Sequence, residues 1–226
     1  MAETLPLFPL GTVLLPGSSL PLHIFEPRYR QLTVDLVTGA VPHRSFGVVS
    51  IKQGWDISTD NVESLQEVGC SALLREARRL PDGRFDIVTR GAKRFRLLDV
   101  DHSSAPYLVG SVEWLPDTPT PPAAAEVVPI LIDAARAAHH RYCAAAWHSE
   151  DWAEAPEGTT AEELAYVLAG DCLLSIEDRQ RLLEETSPAR RLRLVRRMLN
   201  REAGILAALR AVPAPLTEFG HTPHPN

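Results

Sequence analysis

The first half of the chain alternates apolar and polar positions with a period of two, which is typical of half-buried β-strands. Four segments carry this pattern: SFGVVSI (45–51), RFDIVTR (84–90), RFRLLDV (94–100) and YLVGSVEW (107–114). The sequence LPDG (80–83) predicts a tight turn, because proline fixes φ at the first corner and glycine accepts a positive φ. A hairpin turn needs a strand on each side. We therefore interpret residues 72–80 as a strand, although their composition also suits a helix.

A helical pattern interrupts these strands. Apolar side chains follow one another at spacings of four, three and four, at Phe25, Tyr29, Leu32 and Leu36. This spacing places them on one face of an amphipathic helix. Pro27 suits the first helical position, where its missing N–H costs nothing, and Gly39 suits the C-cap. The pattern predicts a helix over 27–38, entered directly from a strand.

The second half of the chain has a helical period. A Pro-rich connector at 115–126 marks the change, and the helical segments that follow are 122–147, 159–170, 175–185 and 187–210. We expect Pro129 to start or kink the first of them, and Thr160, Ser175 and Ser187 to be N-caps of the others. The sequence predicts an α+β fold with a β-rich N-lobe (1–117), a helical-bundle C-lobe (118–212) and a disordered tail (213–226).

Composition narrows the functional classes. A chain of 226 residues can bury a substantial core in one large or two modest domains. A net charge of −6 is unlike that of a polycation, so bulk attraction to nucleic acid or anionic lipid is not expected. The three scattered cysteines form no C-x-x-C pair and suit a reducing compartment. With no signal-peptide pattern and no membrane-spanning apolar run, we expect a cytoplasmic protein without membrane contact.

The sequence lacks the motifs of common enzyme classes. Its two lysines, Lys52 and Lys93, lie outside any G-x-x-x-x-G-K-[ST] loop, and G-x-S-x-G, H-E-x-x-H and G-x-G-x-x-G do not occur. His139 and Cys143 lie one helical turn apart, but a zinc site needs three or four ligands, and the others would have to be residues such as His148 or Asp151. We expect no enzymatic activity, no cofactor and no metal site.

Basic residues concentrate between 75 and 96, a segment that contains eight cationic and three acidic side chains. Several alternate with apolar residues, so Arg90, Arg94 and Arg96 could line one face of the sheet and bind phosphates. The same cations could instead pair with carboxylates of neighbouring strands. RNA binding through this face is therefore one hypothesis.

The opening segment LPLFPLGTVLLPGSSLPLHIFEPRYRQL (5–32) closely resembles the start of the N-terminal, substrate-binding domain of Lon proteases. The resemblance continues through FGVV, VGCSALL, LPDGRFDIVTRGAKRFRLLDV and PYLVGSVEWLP, and it covers about residues 5–210. It implies a PUA-like N-lobe and a helical C-lobe. In that family the ATPase and the Ser–Lys protease lie further along the chain. The resemblance therefore implies a stand-alone, non-catalytic member. Cys70 departs from the small uncharged residue, such as threonine, that the family pattern implies.

The resemblance also implies a function, which is recognition of unfolded or tagged polypeptides. We expect a polypeptide-binding adaptor in protein quality control, with a protease or chaperone as a further partner. A homodimer is compatible with this expectation. A groove between the lobes would be the site, with Phe25, Tyr29 and Trp55 as contributors and Arg28 near them. These aromatic residues could instead serve the core or the lobe interface, which we expect for Phe25. RNA binding, or a small-molecule site between the lobes, is the alternative.

Overall fold

The computed structural model describes residues 3–52, 64–146, 152 and 154–209. The strands within these ranges are β1 (Glu3–Leu10), β2 (Ser19–Ile24), β3 (Ser45–Ser50), β4 (Val68–Arg79), β5 (Phe85–Asp101) and β6 (Val109–Trp114). The helices are α1 (Pro27–Thr38), α2 (Pro122–Ala125), α3 (Val128–Ala146), α4 (Ala161–Gly170), α5 (Ile176–Glu184) and α6 (Pro188–Leu209). The predicted fold class is confirmed, because a β-sheet lobe is followed by helices.

The strands form one sheet that closes into a barrel. Their order is β2-β5-β4-β3-β1-β6, and β6 pairs back onto β5. β1 and β3 run parallel, and the other pairs are antiparallel. The segments 84–90 and 94–100, predicted as two strands, belong to the single strand β5. Register shifts where β5 pairs with β4 and β6 let it bend from the β4–β5 hairpin into the barrel wall.

Apolar side chains fill the barrel. Leu7, Phe95 and Val112 are fully buried in this inner core. Space for the Phe95 ring comes from glycines on the neighbouring strands: a Cβ atom at Gly69 would lie 2.4 Å from the ring carbon Cζ, and one at Gly47 would lie 2.8 Å from it. The barrel is therefore a packed core in which positions 47 and 69, among others, accept only glycine without rearrangement.

Helix α1 packs on the outside of the barrel, as its sequence predicts. It spans the predicted residues 27–38 and ends at Gly39, which adopts a left-handed φ of 85°. The Tyr29 ring stacks on the Phe8 ring with centroids 3.9 Å apart. The predicted hairpin turn is also present, with Gly83 at a φ of 80° and β4 covering the segment interpreted as a strand.

The helices after the connector pack against one another and against the barrel. The hydroxyl of Ser175 accepts a hydrogen bond from the backbone N–H of Asp178 at 3.2 Å, which confirms the predicted cap of α5. Helix α4 begins after Thr160, as predicted, but the Thr160 side chain makes no capping hydrogen bond. Pro129 lies in the first turn of α3 and starts the helix rather than kinking it.

One continuous hydrophobic core joins the outer face of the barrel, α1 and the helical bundle. Within the described ranges, no helix combines the length and the apolar character that crossing a membrane requires. The tail over 213–226, for which we predict disorder, lies outside the described residues.

Candidate functional site

An apolar pocket opens at one mouth of the barrel, beside the first residues of α1. Its volume is about 190 Å³, and its walls come from the end of β1, the end of β2 and the start of α1. Phe8, Ile24 and Tyr29 contribute from the outer core, and Leu65 and Leu108 contribute from the inner core. We call this cavity the Phe25 pocket, after the aromatic residue at its rim.

Phe25 is exposed, with 61% of its surface accessible to solvent. It lies two residues before α1, and Glu26 between them has an extended backbone, so the helical period that aligns Phe25 with Tyr29 does not reach Phe25. The expectation that Phe25 serves the core or the lobe interface is therefore wrong. Tyr29, in contrast, is only 4% exposed, and its ring stacks on Phe8, which also lines the pocket.

Arg28 forms the polar edge of the same pocket. Its Nε donates a hydrogen bond to Oε2 of Glu26 at 3.0 Å. Its guanidinium carbon lies 4.8 Å from the centroid of the Tyr29 ring. The structure thus brings Phe25, Arg28 and Tyr29 together. Trp55, the fourth residue expected beside them, lies outside the described residues.

A second concave region lies on the surface where the two lobes meet. This interlobe cleft has a volume of about 820 Å³ and is lined by β5 and β6 on one side and by α4 on the other. Phe25 and Tyr29 are absent from its lining, contrary to the expectation that they contribute to a groove between the lobes. Of the six predicted site residues that the structure describes, Arg90 and Arg94 line it.

The basic residues of the hairpin sheet do not form one continuous cationic face. Arg94 is buried and donates hydrogen bonds to the carbonyl oxygens of Leu183 and Glu185 at 3.0 and 2.9 Å, and to Asp117. Exposed Arg78 and Arg84 each pair with a nearby aspartate at 2.6 Å. Arg94 is therefore unavailable to a phosphate, because the C-lobe covers it. Arg90 and Arg96 remain exposed.

The Arg94–Asp117 pair belongs to a buried network that our sequence interpretation missed. Arg191 is fully buried, and its Nη1 and Nη2 donate to the two carboxylate oxygens of Asp117 at 2.8 and 2.7 Å. The Arg191 guanidinium also lies 4.3 Å from the centroid of the Tyr166 ring. One sequence signal was present: Arg191 falls on the same helical stripe as the buried residues Leu192 and Val195, where a cation requires a partner.

The histidine–cysteine pair on α3 lies on a buried face of the helix. The Sγ atom of Cys143 lies 3.6 Å from Nε2 of His139, and both residues are buried. Burial lowers the pKa of His139 and raises the pKa of Cys143 to about 11. Within the described ranges, no group of three or more metal-ligating side chains comes together. His148 and Asp151 lie outside those ranges.

A closed barrel with an apolar surface pocket, joined to a helical bundle across a cleft, defines a two-lobed binding domain. Residues 4–201 match the family described as the ATP-dependent protease La (LON) substrate-binding domain. The chain belongs to this family. The predicted resemblance is confirmed, because the description of this family names the substrate-binding domain of Lon.

Solved structures of Lon N-terminal domains share this fold. The Lon N-terminal domain protein from Xanthomonas campestris is 28% identical with a TM-score of 0.57, and the match covers 84% of this chain and 95% of that one. The N-terminal domain of a Mycobacterium avium complex Lon protease is 18% identical, with a TM-score of 0.63 and coverages of 87% and 98%. At 18% identity, the latter likeness concerns the fold alone.

Curated relatives are considerably longer than this chain. Lon protease 1 of Herpetosiphon aurantiacus is 26% identical over 202 residues, which are 87% of this chain and 24% of the relative. The Lon protease of Parabacteroides distasonis is 33% identical over 122 residues, which are 52% of this chain and 14% of the relative. The chain therefore spans at most about a quarter of the length of these two proteins.

Proposed function

We propose that this protein is a non-catalytic module that binds unfolded or tagged polypeptides and acts as a cytoplasmic adaptor for a protease or chaperone. The observation that carries the proposal is the exposed Phe25 ring at the rim of an apolar pocket. Membership of a family of substrate-binding domains supports it, as does the name Lon protease among the relatives.

The pocket has the size and character needed to bind one apolar side chain. Its volume of about 190 Å³ is larger than the engineered apolar cavity of about 150 Å³ that binds benzene. A phenylalanine or leucine side chain therefore fits. Folded proteins bury most such side chains, whereas unfolded chains expose them. A pocket of this kind would consequently favour unfolded polypeptides without needing a particular sequence.

The polar edge of the pocket would orient the bound chain. Glu26 holds the Arg28 guanidinium over the Tyr29 ring, so its position is fixed before a ligand arrives. A guanidinium presents N–H donors, and an unfolded polypeptide offers backbone carbonyl oxygens as acceptors. The proposed complex therefore combines an apolar side chain in the pocket with a hydrogen bond at its edge.

Substitution of Phe25 tests this proposal. Burying an aromatic ring is worth about 1.5–3 kcal/mol, and the Phe25 ring is partly covered already, so Phe25→Ala should weaken binding about tenfold. The measurement is the fluorescence anisotropy of a labelled unfolded polypeptide. Val37→Ala is the matched control, because Val37 is also an exposed apolar residue but lies outside the pocket. Equal affinities of Phe25→Ala and the original protein would refute the proposed site.

RNA binding is the competing function, because Arg90 and Arg96 are exposed and no ion pair to either occurs among the described residues. Phosphate binding releases counterions, so affinity for a structured RNA would fall steeply between low and high salt. Apolar contacts to a polypeptide should change far less. Salt-tolerant binding of the unfolded polypeptide alone supports our proposal, and salt-sensitive binding of RNA alone contradicts it.

A further inference from the structure

The interlobe cleft continues into two neighbouring cavities and forms a groove across the molecule. A cavity of about 650 Å³ on the barrel side shares Ala92, Lys93 and Trp114 with it. A cavity of about 290 Å³ at the other end shares the Pro16–Gly17 loop and Tyr166 with it. We call the three together the interlobe groove. The two end cavities share no lining residue with each other, so the groove is elongated.

Unneutralised cations mark the barrel side of this groove. Arg90 and Lys93 are exposed, and neither forms an ion pair within the part of the chain that the structure describes. The Lys93 ammonium lies 5.7 Å from the centroid of the Trp114 ring, so a cation and an aromatic face stand side by side at the centre of the groove. Arg94 on the same strand is buried and already neutralised by Asp117.

The helical side of the groove has a different character. Glu162 and Glu163 lie on it, and Val167 is an exposed apolar residue one turn further along α4. A ligand with a carboxylate would therefore direct that group to the barrel side, away from the two glutamates. The barrel side of the groove is therefore basic, and the α4 side is acidic.

Tyr166 lies where the groove meets the buried Arg191–Asp117 network. It is 4% exposed and lines the groove, and its buried hydroxyl has no hydrogen-bond partner among the described residues. A buried hydroxyl without a partner costs free energy, so native proteins seldom keep one without a reason. Burial raises the pKa of Tyr166 to about 12, and the group therefore stays a neutral hydroxyl that can donate or accept a hydrogen bond.

We propose that the interlobe groove binds an extended polypeptide segment in which an acidic side chain lies next to an apolar one. Arg90 and Lys93 bind the carboxylate, and Trp114 contacts the apolar side chain. An extended chain suits such a groove because its backbone N–H and C=O groups need partners. This inference rests on the proposed polypeptide-binding function and gives it a preference for acidic–apolar segments.

The experiment compares two labelled, unstructured 12-residue peptides by fluorescence anisotropy with the full chain. One peptide alternates glutamate with leucine and phenylalanine, and the other has glutamine at each glutamate position. We expect the acidic peptide to bind about tenfold tighter, the equivalent of one good charge pair. Arg90→Glu/Lys93→Glu should abolish this preference. Arg96→Glu is the matched control, because Arg96 is exposed on the same strand but lies outside the groove.

Equal affinities of the acidic and neutral peptides, or an unchanged preference in Arg90→Glu/Lys93→Glu, would overturn the inference. The inference would also be overturned if Arg90→Glu/Lys93→Glu lost affinity for single-stranded RNA but kept its affinity for the acidic peptide.

The outcome also separates this inference from the proposed function. If the groove variants bind the acidic peptide normally and Phe25→Ala does not, the groove proposal fails and the Phe25 pocket stands. If the original protein binds neither peptide nor an unfolded polypeptide, both proposals fail.

Discussion

Replacing Asp117 by alanine should unfold the protein at a markedly lower denaturant concentration. Asp117 accepts hydrogen bonds from Nη2 of Arg94 at 2.5 Å and from both terminal nitrogens of Arg191 at 2.8 and 2.7 Å. The Arg94 side chain is 4% exposed and the Arg191 side chain is fully buried. Without Asp117, two guanidinium groups would stay buried at the junction of the lobes with no carboxylate.

The expected loss of stability is about 3 kcal/mol. Removing one partner of a buried ion pair costs about 3–5 kcal/mol, because an uncompensated charge stays behind. The lower end applies here for two reasons. The Asp117 side chain is itself 25% exposed. The arginines also keep hydrogen bonds to carbonyl oxygens of Leu183, Glu185 and Glu162. Such a loss is a large share of the roughly 5–15 kcal/mol by which proteins are stable.

The assay is guanidinium-induced unfolding followed by both tryptophan fluorescence and circular dichroism. Asp86→Ala is the control, because the ion pairs of Asp86 are exposed and should contribute little. A loss for Asp117→Ala of less than about 0.5 kcal/mol, the scale of ordinary surface substitutions, would refute the reasoning. The triple variant Asp117→Ala/Arg94→Met/Arg191→Met should recover most of the stability, because it also removes the uncompensated charge. A triple variant less stable than Asp117→Ala would contradict that explanation.

Three further predictions concern packing and pH. Gly69→Ala should lower the free energy of unfolding by about 1–3 kcal/mol, because its Cβ atom would overlap the Phe95 ring. Thermal unfolding measures this loss, and Gly11→Ala is the control because a Cβ atom at Gly11 would meet no neighbouring atom. Tyr29→Ala should cost about 3–5 kcal/mol through loss of a buried, stacked ring, and a fully stable variant would contradict a core role. Burial lowers the pKa of His139, so the unfolded state binds more protons below about pH 6.5 and stability falls as the pH falls. His139→Gln should make the free energy of unfolding, measured from denaturation curves between pH 5 and 8, depend less on pH. An unchanged pH dependence in this variant would contradict the role of His139.

Local signals in the sequence predicted the local structure well. Pro27 and Gly39 mark both ends of α1, and the LPDG turn identified β4 as a strand despite its helix-compatible composition. The interruption around Gly91 concealed the continuity of β5. Gly91 approaches the backbone of Leu15, where a Cβ atom would lie 2.2 Å from the Leu15 carbonyl oxygen, so its small size serves packing and does not end a strand.

Contacts between distant segments could not be predicted from spacing. Alternation along β5 grouped Arg94 with Arg96, but only Arg94 lies where the end of α5 covers the barrel. The exposure of Phe25 has a similar cause, because the helical period stops at the extended residue before α1. Most of the fold follows from short-range patterns. The pocket and the groove depend on which surfaces the folded chain brings together.

Closure of the barrel by its first strand has a consequence for the order of events during synthesis. Residues 3–6 of β1 pair with residues 109–112 of β6, so that part of the first strand has no final partner until half of the chain has been made. At roughly 5–20 residues per second, that interval lasts on the order of 5–20 s. Pairings between such distant segments are also slow to form, because the intervening loop must first be closed. During translation, residues 3–6 therefore stay without their final strand partner long after residues 7–10 can pair with β3.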